Sequence, residues 1–64
     1  MDKTTALVLV AHMHRTGIES AMRRLKMDGK DTKDALYEII TAAKEADCPA
    51  LMATACIMYE ALPS

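Results

Sequence analysis

Sixty-four residues leave room for one domain, residues 1–64, that buries only about 60% of the surface its unfolded chain exposes, so a staple or a partner is expected to complete it. A net charge of −1 supplies no global field toward nucleic acid or an anionic membrane. Two Tyr with no Phe or Trp, set against six Met in a 52% apolar composition, favour helices over a sheet.

The first predicted helix runs from about Asp2 to Arg15, with Asp2 as its cap. On a helical wheel Ala6, Leu7, Leu9, Val10, Ala11 and Met13 form one broad apolar arc, opposite Thr4, Thr5, Val8, His12 and Arg15. The run Leu7-Val8-Leu9-Val10 also suits a strand over residues 5–11, but no second strand candidate exists to pair with it, so helix is preferred. Six apolar residues in a row, Ala6 to Ala11, are too few for the core of a secretory leader.

The second helix opens on Thr16-Gly17-Ile18-Glu19, the spacing of a capping box, carries Ile18, Ala21, Met22 and Leu25 on its apolar side, and is expected to end at Gly29. The third starts at Asp31 or Thr32 and has the clearest amphipathic pattern: Ala35, Leu36, Ile39, Ile40, Ala43 and Ala46. It is expected to stop near Asp47, with Asp47 or Cys48 capping the fourth helix and Pro49 in its first turn.

That fourth helix, Pro49 to Leu62, offers water only Thr54, Glu60 and the Tyr59 hydroxyl, so it must be covered. At about 1.5 Å per residue it reaches roughly 21 Å, short of the ~30 Å of a bilayer's hydrocarbon. Leu51, Met58, Tyr59 and Leu62 form a bulky side suited to its own chain. Ala50, Ala53, Thr54, Ile57 and Ala61 form a small side, assigned as the interface of a homodimer, with Met52 and Cys56 as the alternative patch and the first helix as a second candidate element.

Few residues point to chemistry. His12 and His14 are two apart and so project about 200° apart on a helix, which prevents them sharing a metal ion. His14 falls beside Leu7 and is expected to be partly buried and hydrogen-bonded, while His12 is expected on the wet face. Cys48 and Cys56, about 12 Å apart along a helix, do not pair, and free thiols fit a reducing cytosol. Cys48 sits where a helix N-terminus lowers a thiol's pKa, yet Asp47 opposes this and no base accompanies it. No nucleophile–base pair or phosphate loop can be assembled. No catalytic, metal or cofactor site is assigned.

Two charged surfaces remain. Arg23, Arg24, Lys26, Lys30 and Lys33 are the only nucleic-acid signal, and Glu19–Arg23 and Arg24–Asp28 have the spacing to neutralise part of it. A groove-reading third helix would present Asp34, Glu38 and Glu45 to phosphates, which repel it. The same acidic face, with Tyr37 and with Met27 as an added apolar anchor, reads better as a docking surface for a basic protein.

The sequence thus predicts an all-α, cytoplasmic, compact bundle of three to four short helices completed by homodimerisation. Its expected function is non-catalytic: a small accessory regulator or inhibitor that binds a partner protein through Asp34, Tyr37, Glu38, Glu45 and Met27. A small DNA-binding regulator using the basic cluster is the alternative, and a thiol-based redox or metal protein is the third reading.

Overall fold

A computed structural model describes residues 1–63. It contains four helices and, among the described residues, no strand: α1 (Lys3–Thr16), α2 (Ile18–Arg24), α3 (Thr32–Glu45) and α4 (Pro49–Glu60). The helical reading of residues 5–11 therefore holds. Asp2 caps α1, its carboxylate accepting the Thr5 backbone N–H at 2.8 Å. The Thr5 hydroxyl and that N–H hold the Asp2 carboxyl below the usual carboxylate range.

The capping box at Thr16 does not form. Thr16 is still the last residue of α1, where its hydroxyl donates to the His12 carbonyl at 2.9 Å. Gly17 alone separates α1 from α2, and with φ +81° it reverses the chain before a side-chain cap can be placed. Nor does α2 reach Gly29. It ends at Arg24, and Lys26 enters the left-handed region with φ 59°. There the Met27 N–H bonds the Met22 carbonyl at 2.7 Å and the Lys26 N–H bonds the Arg23 carbonyl at 3.1 Å. These are the paired closing bonds of a Schellman motif.

The end of α3 repeats the device. Asp47 has φ 53°, the Cys48 N–H bonds the Ala43 carbonyl at 3.0 Å, and the Asp47 N–H bonds the Lys44 carbonyl at 3.2 Å. In both motifs the residue after the left-handed one, Met27 or Cys48, packs into or against the core. Neither left-handed residue is glycine, so each carries backbone strain, greater for Lys26 because aspartate tolerates this region better. Lys26→Gly is expected to stabilise the protein by about 0.5–1 kcal/mol, raising Tm by several degrees in thermal denaturation. An unchanged or lower Tm would show that the strain is negligible.

The helices form a ring in the order α2, α1, α4, α3. The α3–α4 hairpin is the most extensive contact and α2–α3 the slightest. Lys3 Nζ lies 3.9 Å from Asp47 Oδ2, and His14 Nε2 lies 3.3 Å from Thr54 Oγ1, so α1 and α4 run side by side in the same direction. Leu9, Met13, Leu36, Ile39 and Leu51 fill the centre. Each such side chain gains about 1.5–3 kcal/mol from leaving water. Ala6, Ala21, Ala35, Ala43 and Ala55 are fully enclosed between them and let the helix axes come close.

The α1 arc expected to face inward is only half enclosed. Ala6, Leu9 and Met13 are buried, whereas Leu7 is 56% exposed and Ala11 also faces out. The inward strip of α1 is narrower than its apolar arc, because only one flank of that arc meets the other helices. No helix among the described residues is long and apolar enough to cross a membrane.

Candidate functional site

The side of α3 turned away from the core is built by its periodicity. Ala35, Leu36, Ile39 and Ala43 point inward, which leaves Asp34, Tyr37, Glu38, Thr41 and Glu45 on the outer side, with Lys33 and Lys44 along its Tyr37 edge. Tyr37 is 64% exposed, with Asp34 in the first turn, Glu38 beside it, and Lys44 and Glu45 in the last turn. Thr41 turns its hydroxyl back to the Tyr37 carbonyl at 3.1 Å, so it adds little polarity to the face. Glu38 is engaged by Lys30 Nζ, an ion pair with both side chains about half exposed. Asp34 and Glu45 have no ion-pair partner among the described residues.

Met27 lies elsewhere. It is half-buried and packed against the core by the turn that closes α2. The structure thus brings Asp34, Tyr37, Glu38 and Glu45 together on one helix side and draws Met27 inward.

The basic residues do not converge. Arg24 Nη1 approaches His12 Nε2 at 3.4 Å instead of pairing with Asp28, and no Glu19–Arg23 ion pair is present among the described residues. Arg23 lines a shallow depression of about 300 Å³ with Glu19, Met22, Asp28, Gly29 and Thr32. This opens where α2 and α3 barely touch. Lys30 is held by Glu38, Lys33 Nζ stands 5.8 Å above the Tyr59 ring, and Lys26 occupies its strained turn. Three of the five cations are thereby committed to neighbours within the chain.

On α4 the division of sides is as expected. Leu51 is buried, while Met58, Tyr59 and Leu62 are half-buried against the core. Ala50, Ala53, Ile57 and Ala61 are exposed, Ile57 at 68%. Thr54 departs from this set. It is buried in the α1–α4 seam, where its hydroxyl donates to the Ala50 carbonyl at 2.9 Å and meets His14. His14 has the hydrogen-bond partner expected of it but remains exposed, and His12, expected on the wet face, is half-buried against α2. The two imidazoles reach different helices and do not converge on one point. Cys48 stands at the N-cap of α4, but its thiol is buried without a capping bond, and Cys56 is half-buried; both are free.

The first helix, a second candidate element of the homodimer contact in the sequence, leaves Leu7 and Ala11 exposed on the flank of its arc. The apolar arc contained the signal, but its division into an inner and an outer part depends on how α1 is rotated against its neighbours. Comparison of the chain with protein-family models, with curated proteins and with solved structures returns no match.

Proposed function

We propose that this chain is a non-catalytic protein-binding module, a small regulator or inhibitor that docks the outer side of α3 onto a basic partner protein. The observation that supports this reading is Tyr37, 64% exposed among Asp34, Glu38 and Glu45. A tyrosine orders only two side-chain torsions on contact and offers both an apolar ring and a hydroxyl, which suits it as an anchor. The carboxylates around it speed encounter with a positively charged surface and turn away phosphates. Self-association through α4 belongs to the same proposal, as does residence in a reducing cytosol, which two free thiols suit.

The test is capture of partners from native cell extract on the immobilised chain, followed by binding measurements on the purified pair. Tyr37→Ala and Glu45→Lys are each expected to weaken binding about tenfold or more, with far-UV circular dichroism unchanged. A partner held equally well by both variants would remove the α3 surface from the proposal. The DNA-binding alternative draws support only from the uncommitted cations Arg23 and Lys26. It predicts a salt-dependent gel shift that disappears on Arg23→Ala.

A further inference from the structure

The exposed seam between α1 and α4 combines apolar shape with a charge arrangement that selects its occupant. Its apolar part is Leu7 and Ala11 on α1, Ala50, Ala53 and Ile57 on α4, and Ala61 at the C-cap of α4. Leu7 and Ile57, at 56% and 68% exposure, stand out from a floor of alanines. Large side chains beside small ones on parallel neighbouring helices make a surface of knobs and hollows. Such a surface can be filled by its own copy.

The charges are sorted by helix. Within α1 the charged residues are Lys3 and Arg15, both basic, while Asp2 just before Lys3 is engaged in capping the helix; within α4 the charged residue is Glu60, and Asp47 stands two residues before Pro49. Each end of the seam therefore has a cation on its α1 side and an anion on its α4 side.

We infer that the α1–α4 seam is the docking surface for a second copy of this chain, with α1 of each copy lying along α4 of the other. A two-fold axis parallel to the helices produces this pairing. It keeps each residue at its own height along the axis, so it brings Leu7 of one copy toward Ala50 of the other, and Ile57 toward His14. It also sets the Lys3–Asp47 pair of each copy against that of the other with unlike charges opposed, and turns Arg15 toward Glu60 at the other end. The competing two-fold axis, running across the helices, stacks α1 on α1 head to tail. That arrangement opposes Lys3 to Arg15 and Asp47 to Glu60, like against like.

A stable pair takes about 600–1,000 Å² from each copy, so the charged flanks of the seam join its apolar side chains in the contact. The inference rests on the self-association part of the proposed function and is independent of the α3 part.

Sedimentation of the full chain at low salt tests it. The expected result is a species of twice the 7.0 kDa chain mass. Ile57→Lys and Leu7→Lys, both at exposed positions, should each convert it to monomer with helicity unchanged. The register is tested by two double variants, one carrying Lys3→Glu with Arg15→Glu, the other Asp47→Lys with Glu60→Lys. Each alone should dimerise about tenfold or more weakly, because every cross-helix pair becomes like-charged. Mixed in equal amounts, they should form a heterodimer at near wild-type strength.

A wild-type chain that stays monomeric at high concentration would overturn the inference and leave partner binding by α3 standing. A dimer indifferent to Ile57→Lys and Leu7→Lys would overturn this surface. Wild-type affinity in either double variant alone would overturn the α1-on-α4 pairing.

Discussion

Leu51→Ala is expected to halve, or more than halve, the stability of the protein. Leu51 is fully buried on α4 and faces the most extensive helix contact in the molecule. Truncating an enclosed leucine costs about 2–5 kcal/mol, the lost transfer energy plus the cavity left behind. A chain of this length has about 3–10 kcal/mol of total stability. The two ranges overlap, so little margin remains. Urea denaturation followed by circular dichroism should show the midpoint falling by half or more, or a chain already partly unfolded in buffer. Leu7→Ala, at a position 56% exposed, is the control and should change the folding stability of a single subunit by less than about 0.5 kcal/mol. A loss below about 1 kcal/mol at Leu51 would mean that its surroundings collapse onto the gap, contrary to the packing described.

The second large effect runs in the opposite steric direction. Ala55→Leu adds volume at a fully buried alanine and is expected to destabilise by about 1–3 kcal/mol, although leucine is the more apolar residue and nearly as good a helix former. Transfer out of water alone would predict a gain. The sign of the change therefore reports whether the helices are truly in contact there. A higher Tm for Ala55→Leu would reveal an unfilled space beside α4.

Much of the fold was legible because its punctuation is local. The periodicity of Ala35, Leu36, Ile39 and Ala43, and the position of Pro49, define α3 and α4 without tertiary information. Boundaries that use other devices were not legible. Lys26 and Asp47 adopt a conformation usually taken by glycine, so the sequence signals the close of α2 only further on, at Gly29. Thr16 and Glu19 have capping-box spacing, but the single-residue joint at Gly17 leaves no room for the motif.

The candidate surfaces were legible to the extent that one helix determines them. Asp34, Tyr37, Glu38 and Glu45 share a side by spacing alone. The direction of Met27 follows from the turn that ends α2, so a single-helix pattern does not determine it. The contact between His14 and Thr54, forty positions apart in the chain, depends on the docking of α1, which no single-helix wheel encodes.

The ring of helices has its strongest joint between neighbours in sequence, α3 and α4, linked by only three residues, and this sets an order of events during folding. Closing so short a loop is entropically cheap, so that hairpin is expected to nucleate the domain, with α1 arriving late to seal the far side. In stopped-flow refolding Leu51→Ala should then slow collapse to the native state, while Leu9→Ala should chiefly hasten escape from it. Equal slowing by both would place α1 in the nucleus as well.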